Sequence, residues 1–203
     1  MRCQFWTVSC ALLFLLLLNS GVVTAGKYNR VVEIGDKVPG WQNLPGVDGK
    51  THSWEDHKQA KAIAVVFTSN DCPVASAYQS RLNSLATDFK DQGLALVAIN
   101  VNRGENLAAM KSRAQKERFA FDYLHDVSQQ TARNLGAVCT PQAFLFAPDG
   151  QIVYMGAIDD NWQNANGVKQ DFLRQAIKSV LAGMPPKVQE SRQIGCAIKW
   201  NGR

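Results

Sequence analysis

The sequence predicts an α/β fold with a mixed central β-sheet flanked by helices, on three observations. Two uninterrupted apolar runs of strand length, Ala62 to Phe67 and Leu94 to Ile99, suit the buried middle of a sheet. Each run is followed by a helical pattern, so strand and helix alternate as in parallel crossover units. Phe144 to Phe146 and Ile152 to Tyr154 then bracket Pro148-Asp149-Gly150, a hairpin signal that adds antiparallel pairing.

An N-terminal β-hairpin comes first, with Trp41 to Leu44 and Thr51 to Trp54 flanking Pro45-Gly46-Val47-Asp48-Gly49. The helix after the first apolar run opens at Pro73. Val74, Tyr78, Leu82, Leu85 and Phe89 recur along it at three or four residues, and Gln92-Gly93 stops it. After the second run the chain reads as a helix from Glu105 to about Arg118 and a short strand near Phe121 to Leu124. Asp126 and Gln129 then form a capping-box pattern, opening a helix that closes at Gly136. The last helix carries Val168, Phe172, Ala176, Ile177 and Val180 on one face and runs to Ala182. Gly183-Met184-Pro185-Pro186 ends it and begins an extended C-terminal tail, 183–203.

A length of 203 residues, 46% hydrophobic and 19% charged, fits one packed domain, placed at 31–182. The net charge of +5 is dispersed, and no Lys/Arg cluster is interleaved with aromatics, so no nucleic-acid partner is expected. Residues 1–25 read as a signal peptide. Arg2 precedes an uncharged stretch containing Ala11 to Leu18, and Val23-Thr24-Ala25 supplies small residues for cleavage after Ala25. The expectation is export across an inner membrane to the periplasm, with membrane attachment only if the segment is retained.

Cleavage removes Cys3 and Cys10 and leaves Cys72, Cys139 and Cys196. These lie too far apart for a Cys-x-x-Cys pair or close-set zinc ligands, so neither a metal nor a cofactor is expected. In an oxidising compartment three thiols cannot all pair within one chain. Cys72 stands where the first buried run meets its helix, with Pro73 at the first helical position. A helix N-terminus favours thiolate by up to ~2 kcal/mol, or about 1.5 pKa units, and Asp71 opposes this. Cys72 is therefore the candidate nucleophile; the alternative is a buried cysteine acting as a small hydrophobe.

Phe67-Thr68-Ser69-Asn70-Asp71-Cys72-Pro73-Val74, Gly136-Ala137-Val138-Cys139-Thr140-Pro141 and Pro148-Asp149-Gly150, in that order, resemble the thioredoxin-like superfamily. The branch resembled is that of alkyl hydroperoxide reductases and thiol-specific antioxidants, the redoxins, over roughly Val31 to Ala182. Gly156-Ala157-Ile158-Asp159-Asp160 and Gly195-Cys196-Ala197-Ile198-Lys199-Trp200 further resemble a secreted bacterial subgroup. The resemblance implies a thioredoxin-like fold, a nucleophilic Cys72, and a cis-proline loop at Thr140-Pro141 turned toward substrate. There are departures. Ala75 replaces the second cysteine of thioredoxins, Val65 and Ser69 stand where peroxiredoxins carry Pro and Thr, and Pro141 and Gln142 occupy the place of their arginine. Ser69 would keep the hydroxyl hydrogen bond to a peroxide.

With Ala75 unable to resolve an oxidised Cys72, the favoured resolving thiol is Cys139, because the resemblance sets its loop beside the nucleophile. Cys196 is the second candidate, and a Cys139–Cys196 staple pinning the tail is the structural alternative. His52, His57 and His125 read as surface or capping residues, and Glu105, Glu117, Asp159 and Asp160 show no spacing for acid–base work. Trp41 and Trp200 are packing residues able to line a site. The expected function is an extracytoplasmic thiol oxidoreductase acting on an oxidised thiol-protein or a peroxide and restored by an external thiol reductant. Two alternatives stand beside it. One is a copper-binding or chaperone module using Cys72, Cys139 and His125, although Ser76 stands where such chaperones carry a second cysteine. The other is a non-catalytic interaction domain with Cys72 buried and inert.

Overall fold

The computed structural model describes residues 26–37 and 39–202. The signal-peptide expectation lies outside them. Five strands form the central sheet: β3 (Ala62–Thr68), β4 (Leu94–Asn100), β5 (Asp122–His125), β7 (Gln142–Phe146) and β8 (Ile152–Gly156), in the order β5-β4-β3-β7-β8. β3 pairs parallel with β4, and β4 parallel with β5, while β7 runs antiparallel to both β3 and β8. The sheet is therefore mixed.

The alternation of β3 sorts its side chains between two cores. Ala62, Ala64 and Val66 face α1 (Pro73–Phe89) and α4 (Phe172–Leu181), where small residues let the helices approach. Ile63, Val65 and Phe67 face the other way, into a core with Trp41, Leu124, Phe144 and Ile198. Since both faces of β3 are covered, its sequence is continuously apolar. α2 (Leu107–Glu117) and β5 close a smaller cluster around Met110 and Tyr123.

Several boundaries depart from the sequence expectation. Near the N-terminus only β1 (Leu44–Pro45) and β2 (Thr51–His52) pair antiparallel, because Trp54 enters a 3-10 turn begun by Ser53. α2 starts at Leu107 behind an Asn106 cap, which leaves Glu105 outside the helix. The capping box does not form. α3 (Gln130–Asn134) follows Gln129 in a left-handed conformation (φ 60°), and the Gln129 side chain donates instead to Val101 O and Lys199 O. Asp126 accepts from the Thr131 N–H. α4 starts at Phe172, so Val168 precedes it.

Beyond α4 the chain turns back over the domain. Ser191 N–H donates to Met155 O and its hydroxyl accepts from Ala157 N–H, laying the segment along β8. Farther on, β9 (Cys196–Ala197) pairs antiparallel with β6 (Cys139–Thr140), and Ile198, 5% exposed, enters the second core. Among the described residues no helix is long and apolar enough to cross a membrane.

Candidate active site

β3 delivers the chain to its carboxyl end, between a parallel and an antiparallel neighbour, and α1 departs from the same point. Cys72 is the N-cap of α1, with Pro73 in the first turn where no donor is needed. Its Sγ accepts from Ala75 N–H at 3.4 Å and lies 2.9 Å from Thr140 O, which the thiol can address as donor. The Thr140–Pro141 peptide bond is cis. Thr140 is fully buried, and its hydroxyl has no hydrogen-bond partner of ordinary geometry.

Only 2% of Cys72 is exposed. Burial by itself raises its pKa. Contacts from Cys196, the Ala75 N–H and Thr140 outweigh burial and bring the thiol below its ordinary value. The Thr140 hydroxyl, which has no other hydrogen-bond partner, is one of those contacts.

The three cysteines among the described residues divide sharply. Cys139 and Thr140 are consecutive on β6 and so face opposite sides. Thr140 looks toward Cys72, whereas the Cys139 sulfur is directed at Pro141 O (3.8 Å) and Gln142 Oε1 (3.9 Å). Cys139 is 7% exposed, and burial together with the neighbouring cysteine charges pushes it up to about 12. The sequence expectation favoured Cys139 as the resolving thiol; in the fold its sulfur contacts Pro141 and Gln142. Cys196 is the register partner of Thr140 and approaches Cys72 by both its side chain and its backbone. All three thiols are free.

Ser69, expected to hold its hydroxyl for a peroxide, has that hydroxyl bonded within the loop. Its hydroxyl donates to Glu105 Oε1, accepts from Asn102 Nδ2 (2.8 Å) and accepts from Asp71 N–H (3.1 Å). Every hydrogen-bonding role of that hydroxyl is filled within the protein. Glu105, which its spacing did not single out, organises the loop: its other oxygen accepts from Asn70 N–H (2.8 Å) and Asn100 Nδ2 (2.6 Å). Residues 69 and 105 meet only because β3 and β4 are parallel neighbours, so no local pattern could reveal the pair.

The other candidates lie elsewhere. His125 is buried at the end of β5, not at the surface, and burial lowers its pKa. Trp41 packs edge-on against Trp54 at 5.3 Å. Trp200 lies beneath the Arg133 guanidinium, 4.4 Å from its ring centroid, beside an open groove of about 650 Å³. Asp159 is buried and bonded to both Arg81 and Tyr78. Among the described residues no group of three or more His, Cys, Asp or Glu side chains is placed to hold a metal ion, so Cys72, Cys139 and His125 do not assemble as a copper site.

A helix-capping cysteine facing a cis-proline loop, at the carboxyl end of a mixed five-stranded sheet, is the arrangement of a thioredoxin-like fold. The chain belongs to the AhpC/TSA family, whose model matches residues 34–155. It is similar to the crystal structure of a hypothetical protein from Sinorhizobium meliloti 1021, at 32% identity and TM-score 0.79, covering 86% of this chain and 98% of that one. More distant neighbours share the fold. One is described as thiol:disulfide interchange protein DsbE from Chlorobium tepidum (18% identity, TM-score 0.59, 74% and 96% covered). Another is peroxidoxin BcpB from Mycobacterium tuberculosis (15%, 0.59, 74% and 97%). None of the curated proteins matches the chain. The two distant neighbours fit the fold equally well, so the chemistry must be argued from the site.

Proposed function

We propose that this protein is an exported thiol–disulfide oxidoreductase in which Cys72 is the nucleophile. The observation that carries this reading is the Cys72 sulfur itself, held over the first turn of α1 by the Ala75 N–H and facing the buried, unpartnered Thr140 hydroxyl. Both groups favour thiolate, the form that attacks a disulfide sulfur. Disulfide exchange is preferred to peroxide reduction because the Ser69 hydroxyl is fully engaged with Glu105, Asn102 and Asp71. The burial of Cys72 is the one feature shared with an inert interaction domain, and its depressed pKa argues against inertness. Export rests on Arg2, the apolar run Ala11 to Leu18, and Val23-Thr24-Ala25.

In the proposed exchange, Cys72 thiolate attacks one sulfur of a substrate disulfide, forming a mixed disulfide and releasing the other sulfur as a thiolate that takes a proton from water. The test is reduction of a peptide disulfide with dithiothreitol as the terminal donor. Wild type should turn over and Cys72→Ser should not; equal rates would overturn the reading. Peroxide consumption well above that of a free thiol would instead assign a peroxidase. The mass of the exported form, starting at Gly26 or at Met1, tests the signal.

A further inference from the structure

Thr140 and Cys196 are opposed in an antiparallel pair, so their side chains share a face, and for Thr140 that face meets Cys72. The Cys196 backbone also reaches the Cys72 sulfur, while the Cys196 sulfur lies by the Val74 N–H, so both sulfurs sit over the first turn of α1. The approach depends on Gly195. A Cβ there would stand 2.3 Å from Thr140 O and 2.6 Å from Thr140 C, which no real side chain tolerates.

The tail is tied on both sides of this point. Upstream it is held by Ser191 on β8. Downstream, Ile198 N–H donates to Val138 O, Lys199 N–H to Asn102 Oδ1, and Asn201 N–H to Gln129 Oε1. Lys199 Nζ also lies 3.4 Å from Asp71 Oδ2, beside Cys72 in sequence. These bonds hold Cys196 at the nucleophile, and Cys196 is the more exposed of the two.

Resting on the reading of Cys72 as nucleophile, we propose that Cys196 is its resolving thiol, presented by the tail in the position of a substrate strand, and the sulfur at which an external dithiol restores the pair. Access for the first attack requires the two-residue strand β9 to part from β6. Once the mixed disulfide has formed on Cys72, Cys196 gives up its proton and attacks the Cys72 sulfur, expelling the remaining substrate sulfur as a thiolate that is then protonated. Two electrons pass from Cys72 and Cys196 to the substrate disulfide, which leaves as two thiols. On the return, a dithiol attacks Cys196 Sγ, Cys72 leaves as thiolate, and the second sulfur of the dithiol closes on the first to release Cys196. The lowered Cys72 pKa favours it as leaving group.

The experiment exposes purified reduced protein to glutathione disulfide, followed by mass spectrometry and non-reducing peptide mapping. Wild type should carry glutathione on Cys72 only transiently and end with a Cys72–Cys196 link. Cys196→Ser should retain the adduct on Cys72, with resolution slowed about a hundredfold or more, and Cys139→Ser should resolve as wild type does. A Cys72–Cys139 or Cys139–Cys196 link in wild type, or unchanged resolution in Cys196→Ser, overturns the inference. Peptide mapping of wild type requires no variant to fold. An adduct on Cys72 that persists equally in wild type and Cys196→Ser would overturn only the resolving role; absence of any adduct on Cys72 in Cys196→Ser would overturn the nucleophile as well.

Discussion

Thr140 and Cys139 are adjacent residues with opposite duties, and each supports a separate prediction. The Thr140 hydroxyl is buried without a partner and lowers the Cys72 pKa. Thr140→Val keeps the shape and removes the donor, so the Cys72 pKa should rise and its alkylation at neutral pH should slow by roughly threefold to tenfold. A pH profile of iodoacetamide labelling, read at the Cys72 peptide, measures this directly; an unmoved inflection would deny the hydroxyl its role. Cys139 titrates in the other direction. Its folded pKa, pushed to about 12, is above that of an unfolded thiol, so between these values the folded state binds more protons and stability falls as pH rises. Full stability from this group is present below the unfolded thiol pKa. By pH ~10 the loss should reach about 2 kcal/mol. Urea unfolding across alkaline pH should show the loss in wild type, and that share of it should be missing from Cys139→Ala.

At the scale of elements, α1 is held at its N-terminus and along the turns that follow. Its N-terminus is held by the loop that Glu105 organises, and its second and third turns by Asp159, which follows β8. Tyr78 O–H donates to Asp159 Oδ1 at 2.7 Å and Arg81 to Oδ2 at 2.5 Å, while Arg81 also donates to the carbonyls of Asn161 and Trp162. Asp159 is nearly fully buried, so removing it leaves a guanidinium with carbonyl acceptors and no counter-charge. Asp159→Ala should therefore cost about 3–5 kcal/mol, far beyond the 0–1 expected of an exposed pair. Denaturant titration checks this, and a loss below 1 kcal/mol would mean that the pair contributes little to holding the helix.

For the molecule as a whole, the tail completes both the second core and the sheet edge. Ile198 packs with Trp41, Phe67 and Phe144, and Ile198→Ala should cost about 2–5 kcal/mol. Deleting 185–203 should cost more. It would also uncover β8, where Met155 N–H is satisfied by Gln189 O and Met155 O by Ser191 N–H. An uncovered edge strand is a template for pairing between chains, so the deletion should show concentration-dependent association by light scattering as well as a lower unfolding midpoint. A truncated protein that stayed monomeric and equally stable would contradict this.

The α/β class, the two buried strands, the closing hairpin of the sheet and the helix-capping cysteine were legible in the sequence. Each depends on local periodicity or on neighbours a few residues away, as with Pro73 after Cys72 and the unbroken run from Ala62 to Phe67. The partners of those features were not legible. Asp126 and Gln129 satisfy a local capping pattern, yet the tail offers Gln129 better acceptors at long range and α3 begins three residues later than that pattern implies, at Gln130. Ser69 stands out in the sequence only through the family resemblance, and the Glu105 that takes its proton lies 36 residues away. Cys139 is favoured over Cys196 in the sequence because the family resemblance sets its loop beside Cys72, and a resemblance places a loop without saying which way each side chain on it faces. The sequence by itself determined which sulfur caps a helix and so gains thiolate character, since that depends on the residues immediately around Cys72. Which second sulfur meets it was decided by strand alternation on β6 and by the register of β9, two geometric facts that exist only after the tail has folded back.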